Sequence, residues 1–243
     1  MSLFSGGFDA VVLAGGRSSR LGGTPKANLT VQGRSLLEIT CLAVADAHRI
    51  VVVGPDSAVP AALTELLRAR FGTGGPELRV VREDPPFAGP AAALAAALVR
   101  PGALDPLESS PGLLAVLACD MPHAGQLLKL LLAAAARDPS VSLVAEEEGR
   151  NQPLAALYRR DALETAVADA AAAGGTANLS MKKLLARVRT REVPVPPGTT
   201  LDVDTWDDAR ALGVDVVEET PEGTDGRARE TAGRVVREAA EGL

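Results

Sequence analysis

Aromatic side chains are nearly missing from this chain: one Trp, one Tyr and four Phe in 243 residues. A core without rings must be assembled from Ala, Val and Leu carried by helices and strands, and a chain of this length can bury enough of them without staples. Cysteine is as scarce. Cys41 and Cys119 both stand in apolar segments, which predicts small buried hydrophobes and not a disulfide. Histidine occurs only at 48 and 123, far apart, so there is no Cys/His spacing for zinc and no Ser-His-Asp arrangement to argue for. His123 is expected in a surface loop. No apolar run reaches membrane-spanning length, since the longest, such as LLLAAAA, are too short. Met1 to Gly7 offers neither a basic start nor an apolar stretch, which predicts an unexported, cytoplasmic protein. The formal net charge of −6 argues against a nucleic-acid surface. From Val214 onward eight acids face four arginines, so the rest of the chain is close to neutral and its cations can dominate locally.

Lysine is the fourth scarcity, and it turns attention to what is present. Only Lys26, Lys129, Lys182 and Lys183 occur among 25 basic residues. Lys26 lies in VVLAGGRSSRLGGTPKAN (11–28), where an apolar run leads straight into Gly15-Gly16, then Arg17, Arg20, Gly22 and Gly23. A glycine-rich loop at the carboxyl end of a first strand is where open α/β sheets bind ligands. Freed backbone N–H groups make an anion-binding concavity there, and a compact ammonium suits phosphate. No Gly-Lys-Ser/Thr follows, and the G-x-G-x-x-G spacing is missing, so this is neither a Walker A loop nor a dinucleotide fingerprint. A flexible loop with solvated arginines is the competing account of the same composition.

Short apolar runs alternate with helical patterns along the rest. Strands are expected at 9–14, 50–53, 78–81, 113–118, 141–145 and 153–158, and helices at about 34–47, 60–70, 90–100, 124–137, 160–173 and 179–188. Continuous apolar strands alternating with helices predict a three-layer α/β/α sandwich with a mostly parallel, Rossmann-like sheet. Ser35 with Glu38 reads as a capping box, and Pro90 after Gly89 suits the first turn of a helix. Residues 1–213 are expected to form one domain. Residues 214–243 read as a polar linker and tail, with a weakly amphipathic helical pattern over 227–243.

Three acidic positions stand out. Asp120, in Cys119-Asp120-Met121-Pro122, follows a central apolar strand and faces the same crevice as the glycine loop. One carboxylate at a strand end suffices for magnesium, which keeps several waters and phosphate oxygens as its other ligands. A helix N-cap is the alternative for Asp120. Glu83-Asp84 ends the third strand before Gly89-Pro90, where a carboxylate could accept hydrogen bonds from a base or ribose. Leu201-Asp202-Val203-Asp204-Thr205 offers a further carboxylate in Asp202, while Asp204 is expected to cap the next helix with Thr205.

At these residues the chain resembles the nucleotidyltransferases with the signature L-A-(A/G)-G-x-x-x-R-x-G-x-x-K, filled by Leu13, Ala14, Gly15, Gly16, Arg20, Gly22 or Gly23, and Lys26. LAGG, where cytidylyl- and uridylyltransferases usually have LAAG, makes it most similar to the molybdenum cofactor guanylyltransferases. The resemblance spans roughly residues 8–212. It implies nucleotide contacts from Leu13, Ala14, Gly15, Gly16, Arg17, Lys26, Asp84 and Asp120, with Lys26, Arg20 and Asp120 catalytic and Arg17 a weaker participant. It implies Mg²⁺ on Asp120 and Asp202, GTP as donor, and molybdopterin or molybdenum-molybdopterin as acceptor, with contact to cofactor-synthesis or molybdoenzyme proteins. Asn151-Gln152-Pro153 matches a (H/Q)-P turn facing the acceptor. Two positions depart from the pattern: Trp206 replaces a common proline, and Gly54-Pro55-Asp56 replaces an asparagine after the second strand. The rivals are a cytidylyltransferase for the same pterin, a transferase for a sugar phosphate or phospholactate, and a nucleotide-binding module without turnover.

Overall fold

The computed structural model describes residues 7–16, 25–55, 59, 61–104, 112–212 and 214–216. In chain order the strands are β1 (Asp9–Leu13), β2 (Leu29–Val31), β3 (Arg34–Ser35), β4 (Arg49–Val53), β5 (Glu77–Val81), β6 (Leu113–Ala118), β7 (Ser142–Glu147), β8 (Arg150–Arg159), β9 (Thr190–Pro194) and β10 (Val214–Val216). The α-helices are α1 (Leu36–Ala43), α2 (Ala61–Phe71), α3 (Pro90–Val99), α4 (Ala124–Ala135), α5 (Arg160–Ala172), α6 (Met181–Leu184) and α7 (Trp206–Ala211).

Seven strands form the main sheet in the order β5-β4-β1-β6-β8-β7-β9. β8 alone runs antiparallel to its neighbours, so the expected mostly parallel sheet is what forms. Alternation along β1 sends Ala10 and Val12 to one face and Val11 and Leu13 to the other, and all four are buried. The first face is covered by apolar side chains of α1, α2 and α4, the second by those of α3, α5 and α6. Both faces are dry, which is why these strands read as unbroken apolar runs. With few rings to fill space, α3 (PAAALAAALV) buries every residue from Ala91 to Ala97, and alanine lets the helix lie close on the sheet.

Local chemistry sets the helix starts. Ser35 and Glu38 form the expected capping box, each side chain bonded to the other's backbone N–H at 3.1 and 2.8 Å. Pro90 opens α3 behind Gly89, whose φ of +95° favours glycine. The helical pattern at 179–188 is realised only as the short α6, capped by Ser180. No apolar pattern announces β2, β3, β9 or β10. β9 (TREVP) is a largely exposed edge strand with no apolar run to announce it. β10 pairs with β2 in a second, three-stranded sheet, which places Val214–Val216 in the fold, three residues past the expected boundary at 213. The rest of the expected tail, with its 227–243 pattern, lies outside the described residues.

At the sheet's opposite end from the glycine loop, Arg160 reaches the buried Asp9 at 3.3 Å. Burial pushes the Asp9 carboxyl above its ordinary value, against the pull of Arg49 and Arg160.

Cys41 and Cys119 are both free and buried in the first core face, as expected. Burial pushes the Cys41 thiol up to about 12 and raises that of Cys119 as well. At pH 8, a disulfide reagent such as Ellman's is therefore expected to leave both cysteines of the folded protein unmodified and to titrate both in denaturant. Rapid reaction of the folded chain would mean that α1 is not seated on the turn after β6.

Candidate active site

The chain order of the sheet reverses between β1 and β6: β4 and β5 extend to one side of β1, and β6 follows on the other. Such a switch point opens a crevice at the carboxyl ends of its two strands. The amide of Cys119 donates to Leu13 O at 3.0 Å, and that of Ala14 to Val53 O at 2.8 Å, so the first two positions of the loop signature already spend these groups inside the fold. Gly15 and Gly16, both exposed, make no backbone hydrogen bond to a described residue. Arg17, Arg20, Gly22 and Gly23 lie outside the described residues.

Asp120 stands on the far side of the crevice, in the turn after β6. Thr40 of α1 supports that turn by donating to Cys119 O at 3.3 Å. Lys26 rises from a single 3₁₀ turn, Lys26–Asn28, that leads into β2. Its Nζ donates to Asp120 Oδ2 at 2.7 Å and also bonds Asp204 Oδ1. Two residues predicted from separate motifs thus meet directly.

Asp204 is a correction. It does not cap α7. Thr205 is the N-cap, and its hydroxyl accepts the Asp208 amide at 3.2 Å while the Asp208 carboxylate takes the Thr205 amide at 2.7 Å. Asp204 is thereby left to the crevice. Val203 explains the pairing with Asp202: it is fully buried in a small core with Leu29, Leu36 and Ala209, and its amide donates to Asp120 O at 3.1 Å. In extended chain, alternate residues share a face. With Val203 turned inward, Asp202 and Asp204 flank it, and each brings a carboxylate oxygen within 4.8 Å of the other and of Asp120. Trp206 packs against the same small core, so the departure from proline is accommodated.

Among the described residues, three carboxylates gather around one ammonium. Burial opposes charge on Lys26, but Asp120 and Asp204 outweigh it and hold the lysine above its ordinary value, fully charged at neutral pH. Burial raises the Asp202 carboxyl, as do the neighbouring Asp120 and Asp204, with Lys26 opposing. Asp120 Oδ1 is buried and finds no hydrogen-bond partner. Three converging carboxylates, one with a buried oxygen that has no hydrogen-bond donor, fit a hard divalent cation such as Mg²⁺.

The loop after β5 brings a second surprise. Asp84 is exposed, whereas its neighbour Glu83 is buried and accepts the Phe87 amide at 3.0 Å. The Glu83 carboxylate lies beneath the glycine loop, where a Cβ on Gly15 would stand 3.6 Å from Oε1. Sequence reasoning passed over Glu83 because either acid can point inward, depending on where β5 stops. Gly54 is closely packed, since a Cβ would stand 3.1 Å from the Ala14 backbone, and a side chain there would require that backbone to shift by a few tenths of an ångström. Asn151, Gln152 and Pro153 belong to strand β8, not a loop, and Asn151 donates to Glu192 at 2.9 Å. His123 is exposed at the start of α4. No helix among the described residues is long and apolar enough to cross a membrane.

Gly15-Gly16 and the Lys26–carboxylate cluster thus both lie at the switch point, where sheets of the doubly wound class open a ligand crevice. The profile of the MobA-like NTP transferase domain matches residues 10–192, three quarters of the chain, and the protein belongs to that family. Asp202 and Asp204 lie just beyond the matched stretch. Comparison with curated proteins returns no match. Among solved structures, Rv0371c from Mycobacterium tuberculosis H37Rv is 25% identical with a TM-score of 0.57, covering 85% of this chain and 98% of that one. Molybdopterin-guanine dinucleotide biosynthesis protein A from Archaeoglobus fulgidus is 20% identical, TM-score 0.54, covering 84% and 96%. The 4-diphosphocytidyl-2C-methyl-D-erythritol synthase from Anaerococcus prevotii is 14% identical, TM-score 0.59, covering 87% and 96%. At these identities the last two speak for the fold alone.

Proposed function

We propose that this nucleotidyltransferase moves GMP from GTP to the terminal phosphate of molybdopterin or molybdenum-molybdopterin, giving the guanine dinucleotide form of the cofactor and pyrophosphate. The observation that carries the reading is Lys26 bridging Asp120 and Asp204 opposite the open amides of Gly15 and Gly16. In the reaction an acceptor phosphate oxygen forms a bond to the α-phosphorus while the α–β bridging P–O bond breaks. An anion attacking an anion requires charge neutralisation and in-line placement more than a base. Gly15 and Gly16 offer their amides to the triphosphate, and Lys26 supplies a fixed positive charge beside it, joined in this reading by Arg20 and, more weakly, Arg17. Asp120, with Asp202 and Asp204, would hold Mg²⁺, which when bound neutralises phosphate oxygens as a Lewis acid. Leu13 and Ala14 shape the floor. Asp84 remains the candidate for a ribose or base contact at the rim, with Glu83 behind it. The buried thiols accord with a cytoplasmic setting.

Guanine is supported by Gly15, where the absence of a side chain leaves more room for a purine beside the backbone than the alanine of the LAAG pattern would. Cytidylyl transfer is the second reading, favoured by the absence of any side chain at position 54, where the guanylyltransferase asparagine would otherwise approach. A thermal-shift panel of GTP, CTP, UTP and ATP with Mg²⁺ separates them. At 100 times its dissociation constant the true donor stabilises by about 2.7 kcal/mol, a rise of roughly 5–10 °C for a domain of this size. GTP is expected to give it, and a CTP-selective rise would transfer the assignment to cytidylyl transfer. Pyrophosphate release that requires the pterin acceptor separates turnover from mere binding.

A further inference from the structure

Glu147, at the end of β7, lies outside every motif the function uses, yet its carboxylate accepts three hydrogen bonds. It accepts the Thr200 amide at 2.8 Å, the Thr200 hydroxyl at 2.6 Å and the Gly198 amide. These donors are 51 to 53 residues away in sequence, in the turn that leaves β9 and runs to Asp202. The turn is closed on itself by Thr199, whose amide and hydroxyl both donate to Pro196 O at 3.1 and 2.6 Å. Its entry is fixed where the Val195 amide donates to Glu146 O at 3.0 Å. Beyond Thr200 only Leu201 and Asp202 precede Val203, which is locked to Asp120 O. The stretch that presents Asp202 and Asp204 is therefore held at two points, Glu147 upstream and the backbone of Asp120 downstream. Burial works against charge on Glu147, but the three donors outweigh it and keep the carboxylate below its ordinary value, so these bonds are charge-assisted at neutral pH.

From this geometry we infer that Glu147 is a positioning residue for nucleotidyl transfer: by clamping Gly198 and Thr200 it fixes the register in which Asp202 and Asp204 meet Asp120 and Lys26. The inference rests on the proposed reading of that cluster. Carboxylates behind a metal's own ligands typically change its affinity by about 10–100-fold when removed, and small misplacements of reacting groups cost up to about 100-fold in rate.

The test uses the full chain with Glu147→Ala, Glu147→Gln and Thr200→Val, and Asp120→Asn as control. Mn²⁺ binding is read by electron paramagnetic resonance and turnover by pyrophosphate release. Glu147→Ala is expected to weaken Mn²⁺ about 10-fold or more and to lower kcat, with KM for the acceptor unchanged. Glu147→Gln, whose amide oxygen still accepts from Thr200, recovers part of both, and Thr200→Val falls between it and wild type. Because Thr200→Val removes one hydroxyl only, it carries the test if Glu147→Ala does not fold. Wild-type Mn²⁺ affinity and kcat in Thr200→Val and the foldable Glu147 variants, while Asp120→Asn loses both, would overturn the role of Glu147 alone. If Asp120→Asn also kept both, the cluster reading and this inference would fall together.

Discussion

Asp120→Asn is expected to reduce pyrophosphate release by about 1,000-fold while leaving the melting temperature within a few degrees. A cation on phosphate oxygens contributes several kcal/mol to the transition state, and each factor of ten is about 1.4 kcal/mol. The substitution keeps the side chain's shape and leaves the two backbone links of the turn, Cys119 N–H to Leu13 O and Val203 N–H to Asp120 O, untouched. What it removes is the negative charge and one of two carboxylate oxygens, of which Oδ2 takes Lys26 and Oδ1 has no hydrogen-bond donor. Loss of activity with an intact far-ultraviolet circular dichroism spectrum would mark Asp120 as chemical. An unfolded variant would mark it as architectural, although not as a helix cap, since His123 and not Asp120 is the N-cap of α4.

Lys26→Ala is expected to move two quantities in opposite directions. Turnover should fall by about 100- to 1,000-fold, the usual effect of deleting one preorganised group facing developing charge. Mn²⁺ binding to the nucleotide-free protein should tighten by tenfold or more. In that state Lys26 occupies the carboxylates, and a unit charge about 4 Å from a dication repels it by about 2 kcal/mol even at the dielectric of water. No folding defect produces tighter metal with slower chemistry. Equal losses of both would refute the arrangement. The lysine's raised value gives the sign of the pH dependence: its attraction to the carboxylates is complete below the ordinary lysine value of 10.5 and is lost as pH climbs through the higher folded value. Alkaline inactivation between pH 8 and 10 should therefore not come from Lys26.

Much of the scaffold was legible because burial leaves a simple mark. β1, β4 and β6 are covered on both faces, and their runs of Val, Leu and Ala have no other easy explanation. The crevice followed from the same fact, since Gly15 and Asp120 terminate two such strands. Where burial is partial, the pattern fades: β9 is exposed, and β2 and β3 are too short for any period. Asp204 was misassigned because Asp204, Thr205 and Asp208 present two overlapping capping arrangements, and only the Thr205–Asp208 pair closes. The alternation Asp202-Val203-Asp204 held the better clue, since one inward-facing valine commits both acids to the same side. Glu83 against Asp84 turns on a single residue of strand length, and a shift of one reverses which acid is inside. Glu147 was invisible because all its partners are distant in sequence and two of them are backbone amides, which every residue carries.

The three-stranded sheet ties together parts of the chain that sequence distance would keep apart. β10 zips onto β2, β2 continues directly from the turn that bears Lys26, and Val203 between the two acids shares a core with Leu29 of β2. The far end of the described chain thus serves as a splint for the ammonium, so shortening the protein before Val214 is expected to loosen the turn that carries Lys26 and not merely trim an appendage.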